Sequence, residues 1–191
     1  MLSALLTGSC TSVNITRYYH RHQSALDSIQ HTYKTAYRIR PFSLEFTDHS
    51  FRRVSVEILT DSLKYIYEFG PGEEAALQDS LRKYQLDVPA IDRLITQMRS
   101  MHCAWVNKLD YYSLSGEKHL LTYISLWPRV INRPFRNKQY YIIAYFSEPQ
   151  FFDTRGELMT GRRVRRIRKI NAEIYNRISD TVCYTLSDRF R

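Results

Sequence analysis

The spacing of apolar residues changes period three times along this chain, and each change restricts what it can fold into. Over residues 15–38, Ala25, Ile29, Tyr33 and Ala36/Tyr37 recur every three to four positions, which predicts a helix with one buried stripe; Pro41 closes it from outside. The period then drops to two. Phe42, Leu44 and Phe46 alternate with Ser43, Glu45 and Thr47. Val54, Val56 and Ile58 alternate with Ser55 and Glu57, and Leu63, Tyr65, Tyr67 and Phe69 alternate with Lys64 and Glu68. Turn-forming residues at Thr47–Ser50 and Thr60–Ser62 separate the runs. The expectation is a three-stranded antiparallel meander with one face buried.

Gly70-Pro71-Gly72 ends this stretch and the helical period returns. Glu73 and Glu74 suit a helix start, with Ala76, Leu77, Leu81 and Tyr84 as its stripe. Asp87-Val88-Pro89 opens a second helix with Ile91, Leu94, Ile95 and Met98 on one side. From Trp105 the period is two again. Trp105–Tyr111 and Leu120–Trp127 flank a Ser115-Gly116-Glu117 turn, and Tyr140–Phe146 is apolar enough for a strand covered on both faces. A turn at Asp153–Gly156 and a short Glu157–Met159 segment follow. A closing helix over Gly161–Phe190 is read from Val164, Ile167, Ile170, Ile174, Ile178, Val182 and Leu186 at helical spacing. The fold class expected is α+β: a single domain in which an antiparallel sheet (meander, helical hairpin, second set of antiparallel strands) packs with long N- and C-terminal helices. Residues 1–14 read as a flexible or signal-like N-terminus and 15–191 as the domain.

Charge is concentrated in few places. The net charge is +9, and Gly161–Ile170 alone (GRRVRRIRKI) carries +6. On a helical projection Arg162, Arg165, Arg166 and Lys169 fall opposite the isoleucines, with Glu173, Asn176 and Asp180 continuing that outer face. Cations at a helix N-terminus oppose its dipole, so the expectation is an anion partner. Arg suits phosphate and carboxylate forks. The internal alternative is pairing with Glu148, Asp153 or Glu157. A second cluster, Arg129, Arg133, Arg136 and Lys138, has Trp127, Phe135 and Tyr140 interleaved, a pattern compatible with a phosphate track and stacking rings. The predicted anion-binding residues are therefore Arg162, Arg165, Arg166, Lys169, Arg133 and Arg136. Their predicted partner is an anionic membrane surface or another polyanion, with nucleic acid as an alternative.

Met1–Cys10 reads MLSALLTGSC. Leu2, Ala4, Leu5 and Leu6, then small residues and a Cys, resemble the end of a bacterial lipoprotein signal. The resemblance covers ten residues and departs from the pattern: there is no charged n-region, the apolar run is short, and Thr7 stands where an aliphatic residue is commoner. It implies lipidation at Cys10 and a cell-envelope location; the alternative is a cytoplasmic protein. A single lipid chain anchors weakly, and a basic patch strengthens its hold on anionic lipid.

Nothing in the sequence asserts catalysis. His20 and His22 are two apart, the wrong spacing for one helix face, and adjacent His102 and Cys103 diverge. No metal-ligand spacing, Walker loop, Gly-x-Gly-x-x-Gly, Gly-x-Ser-x-Gly or His-Glu-x-x-His occurs, so no cofactor or metal is expected. Cys103 and Cys183 read as small buried hydrophobes, with a disulfide between them left open. Enzymatic or small-ligand function would need a pocket lined by Tyr65, Tyr67, Tyr111 and Tyr123 with two convergent acids. The functional expectation is thus a non-catalytic binding or structural module with a basic helical face. The alternatives are a cytosolic nucleic-acid or acidic-protein binder, and an α+β ligand-binding or enzymatic domain without a recognisable motif.

Overall fold

A computed structural model describes residues 10–60, 62–113, 116–126, 140–159 and 174–187, with backbone alone for 10–14. The first helix, α1 (Cys10–Ile39), starts five residues before the expected boundary and breaks at His22 (φ −115°, ψ 15°). Its stripe follows the predicted one at Ile29, Tyr33 and Ala36, which are fully buried, while at the stripe's first position Leu26 takes the buried place expected of Ala25, which is half-buried. A buried phenol needs a partner, and Tyr33 Oη donates to the Phe42 carbonyl at 2.6 Å, tying the helix to the strand that follows it.

The alternating runs become β1 (Phe42–Phe46), β2 (Val54–Leu59) and β3 (Lys64–Phe69), paired antiparallel in register Leu44↔Val56 and Val56↔Tyr67. Two helices, α2 (Glu74–Lys83) and α3 (Val88–Ser100), form the expected hairpin. The Asp87 carboxylate caps α3 by accepting from Ala90 N at 3.0 Å. This hairpin returns the chain to β4 (Cys103–Tyr112), which pairs with β1 on the side away from β2 (Leu44↔Val106). The two β regions read from the sequence are therefore one sheet. With β5 (Lys118–Leu126), β6 (Tyr140–Tyr145), β7 (Asn176–Arg177) and β8 (Val182–Ser187), the order among the described residues is β3-β2-β1-β4-β5-β6-β8-β7, every neighbour antiparallel. The α+β class is as expected.

Each face of the sheet has its own core. The larger lies on the helix side, where Leu26, Ile29, Leu94 and Met98 meet Leu44, Val56, Val106, Ile124 and Ile143. The second lies on the opposite face of β4–β8 and holds Trp105, Tyr111, Leu121, Tyr123, Ile142, Ala144, Phe146, Tyr175 and Cys183. Among the described residues no helix is part of it. One contact shows that the sheet curls over this face. Tyr123 Oη of β5 lies 3.0 Å from the hydroxyl of Tyr175, just before β7, with β6 and β8 between them. Ala144 and Cys183 sit opposite one another at the inside of the bend, where larger side chains would hold it open. On β1, Ser43 and Glu45 are buried as well, so the meander is not exposed on one side throughout as the alternation suggested.

The C-terminal helix is a correction. Residues 176–177 and 182–187 are strand, separated by a turn in which the Ser179 hydroxyl accepts from Val182 N at 3.1 Å. Apolar residues four apart at 174, 178, 182 and 186 satisfy a helical count. The same stretch also alternates, Val182 and Tyr184 facing the helix-side core and Cys183 the second core. β6 offers a full ladder of partners to β8, from Tyr140↔Ser187 to Tyr145↔Val182, and tertiary pairing overrides a local period. Residues 161–173, the rest of the predicted helix, lie outside the described residues. Cys103 and Cys183 are buried without a disulfide, on different faces and on strands separated by β5 and β6, so they cannot meet.

Candidate functional site

Arg162, Arg165, Arg166, Lys169, Arg133 and Arg136 all lie outside the described residues, as do Arg129 and Lys138. Cys10 opens α1, and its backbone alone is described. The structure does fix where the chain leaves the sheet and where it returns. It leaves β5 after Leu126 and returns at Tyr140, and the register Leu126↔Tyr141 makes those two points neighbours. It leaves again after Met159 and returns at Ile174. Leu158 N donates to Tyr175 O at 2.8 Å and Glu157 bridges Asn176, so these points are neighbours too. Continuing the β7 register (Asn176↔Tyr184) sets Ile174 opposite Leu186, which pairs with Tyr141. Both departures therefore occur in one row at one end of the sheet, three strand spacings or about 15 Å apart. Residues 127–139 carry +4 and residues 160–173 carry +5, together equal to the net +9 of the whole chain.

A short strip frames the second departure. Phe151–Met159 folds back on itself, with Met159 N on Phe151 O at 2.9 Å and a bridge between Phe152 and Leu158. Asp153 builds its turn: the carboxylate accepts from Arg155 N at 2.9 Å and Glu157 N at 2.8 Å, while Gly156 takes φ +76°. The backbone amide of Glu157, then the Arg155 amide and guanidinium, hold the Asp153 carboxyl below its ordinary range. Phe152 and Leu158 pack onto the second core beside Tyr175.

The internal alternative for the basic run named three acids, and each has a described neighbour. Arg155 pairs with Asp153 at 3.4 Å and with Glu157 at 3.2 Å. Glu148 lies 3.4 Å from Nε2 of His119. That imidazole is stacked on Tyr111 with centroids 5.4 Å apart and has Glu117 at 3.7 Å; neither carboxylate is aligned as a hydrogen bond.

Other chemistry is dispersed. Tyr65 and Tyr67 stack beneath Tyr84 on the helix side, where the Tyr67 and Tyr84 hydroxyls are 2.6 Å apart, whereas Tyr111 and Tyr123 belong to the other face. The four tyrosines line no common pocket. A cleft of about 450 Å³ opens between α1 and the end of α3 at the His22 break, lined by Arg21, His22, Ser24, Ser28, Gln97 and Ser100 among others, none a carboxylate. Gln97 Nε2 bonds Ser28 Oγ at 2.8 Å there. His102 has φ +52° and sets its ring edge-on to Phe51, while burial pushes the Cys103 thiol up to about 12. A thiol so held is not a nucleophile. Sequence reasoning missed Glu45 as a buried acid. The signal was present only as a polar residue between Leu44 and Phe46, which alternation assigns to solvent.

Among the described residues no group of three or more His, Cys, Asp or Glu could hold a metal ion, and no helix is long and apolar enough to cross a membrane. No protein-family model, curated protein or solved structure matches the chain.

Proposed function

We propose that this protein is a non-catalytic module that docks on an anionic membrane surface, as an envelope lipoprotein tethered through Cys10. The observation that carries this reading is the shared end of the sheet. Two basic stretches distant in sequence leave and re-enter the fold at points that share one row, which is what supports a common docking side. Cations gathered on one side contribute roughly 1 kcal/mol each near an anionic bilayer, an attraction that salt screens. The tether adds local concentration without a further contact. Asp153 and Glu157 both pair with Arg155, which offsets one of their two negative charges beside that end.

Co-sedimentation with vesicles tests the reading. Wild-type protein is expected to bind vesicles containing about one third phosphatidylglycerol and to ignore pure phosphatidylcholine. Reversing Arg165, Arg166 and Lys169 to Glu should remove most of that binding and leave the unfolding transition in place. Equal retention by both vesicle types, or steeply salt-dependent binding to single-stranded RNA with none to vesicles, would overturn it in favour of a nucleic-acid binder. Intact mass of the protein from its native host tests the tether: Cys10 should carry the lipid.

A further inference from the structure

β3 ends the strand order beyond β2, and among the described residues no strand pairs with its other side. The ladder fixes which backbone groups that open side shows. Thr60 N donates to Leu63 O at 2.9 Å, so Leu63 and every second residue after it turn their amides and carbonyls towards β2. Lys64, Ile66 and Glu68 turn theirs outwards. The outward series stops at Gly70, whose N–H is taken by the Glu73 carboxylate. Natural edges are blunted by lysines, prolines or bulges. Here the β2–β3 register runs unbroken from Val54↔Phe69 to Leu59↔Lys64, β3 holds no proline, and its one lysine is answered by a glutamate. Between those two charges Ile66 is 60% exposed.

This edge is complementary to itself. A second copy of Lys64-Tyr65-Ile66-Tyr67-Glu68, laid antiparallel about a two-fold axis at Ile66, sets Lys64 against Glu68, Tyr65 against Tyr67 and Ile66 against Ile66. Outward residues then meet outward residues, so the pairs at Lys64, Ile66 and Glu68 exchange N–H···O bonds in both directions. One step further out Leu63, itself exposed, meets Phe69. Other registers fail. An axis at Lys64 or Glu68 opposes like charges, and an axis at Tyr65 or Tyr67 sets a charge against Ile66. The ion pairs already present extend the match. On the same face Lys64 Nζ lies 2.8 Å from Glu57, and Arg53 lies 3.3 Å from Glu68. Joining two copies lines up Arg53 and Glu68 of one with Lys64 and Glu57 of the other, cations and anions in alternation. A strand of an unrelated protein gains nothing from this palindromic spacing, whereas a second copy gains every pair twice.

We infer that β3 is a homodimerisation edge, at which two copies of this chain join their sheets into one across Ile66. The inference does not rest on the membrane-docking function proposed above. Sedimentation velocity of the full chain over a range of concentrations tests it. Wild type is expected to pass from monomer to dimer, while K64E and E68K each oppose like charges twice and should weaken the dimer about tenfold or more. The ion pairs these changes break are largely at the surface, so both variants should still fold. An equal mixture of K64E with E68K should recover association, since one chain then presents only acids at positions 64 and 68 and the other only lysines. Wild type that stays monomeric at the highest concentration reached overturns the inference. Undiminished dimer in both variants places the contact elsewhere, and a mixture that associates no better than either variant alone denies this register; each result overturns it too. If neither variant folds, amide exchange of wild type decides. The outward N–H groups of Ile66 and Glu68 should gain protection as concentration rises, and a dimer that leaves them exchanging fast overturns the inference.

Discussion

The two faces of the sheet solve the same problem with different means. On one face, helices supply the cover: α1 and α3 lay predicted stripes over Leu44, Val56, Val106 and Ile124. On the other, among the described residues, the sheet supplies its own cover by curling until Tyr123 reaches Tyr175 and Phe152 and Leu158 fold onto it. Helical cover demands large side chains on both partners. Self-cover demands small ones at the bend, and Ala144 faces Cys183 there. The comparison teaches where substitution in each direction is dangerous.

The sharpest break should come from emptying the helix side. Leu94→Ala removes a fully buried side chain and is expected to cost about 2–5 kcal/mol in urea unfolding. If it costs under about 1 kcal/mol, α3 is a lid and the helix face is no core. Filling the bend comes next. Ala144→Leu should cost about 1–3 kcal/mol by overpacking, and a neutral or stabilising result would show slack between Ala144 and Cys183 that the curl does not use. Smaller still is Gly156→Ala. The added methyl would sit 3.9 Å from Arg177 Cβ, an ordinary contact, so the expected loss of about 1 kcal/mol is conformational, from φ +76°. It should loosen the strip, read as faster amide exchange at Glu157 and Leu158, without touching α1.

pH separates the faces most gently. On the helix side, burial and then the Asp27 carboxylate lift Tyr19 to about 12. A raised folded-state pKa favours the neutral phenol, so its stabilisation is complete below the ordinary value near 10 and is lost as pH climbs towards 12. On the strip, Asp153 is held low, so its contribution is present above the ordinary carboxylate range and is lost as pH falls below it. Alkaline unfolding should therefore coincide with a tyrosinate signal from α1 that lags behind ordinary tyrosine ionisation, and acid should loosen Asp153–Gly156 amides first. Asp153→Asn should blunt the acid effect alone. The reverse order would mean the two faces are one cooperative layer.

Most of the helix side was legible. Leu26, Ile29, Tyr33 and Ala36 repeat at helical spacing, Asp87 and Pro89 announce α3, and the runs from Phe42 to Phe69 alternate because their partners are near in sequence. The second face was not. Val182–Ser187 carries both a helical and a strand period, and only β6, forty residues upstream, decides between them. Ile174, counted into a core stripe, is exposed. Glu45 alternates like a solvent residue and is nevertheless buried. The candidate site was legible as charge but not as place: the sequence shows two basic stretches, and the registers Leu126↔Tyr141 and Tyr141↔Leu186 bring their ends into one row.

By itself, then, the sequence determined the elements held by near neighbours, the α+β class and where the charge lies. Local periodicity encodes burial, and burial of a helix stripe or a meander face depends on partners a few turns away. Tertiary structure alone decided that β4 joins β1, that Val182–Ser187 is strand, that Cys103 and Cys183 never meet, and that the points where the chain leaves for and returns from each basic stretch share one row. Those outcomes depend on pairings between residues far apart along the chain, which hydrogen-bond ladders fix and no local pattern records.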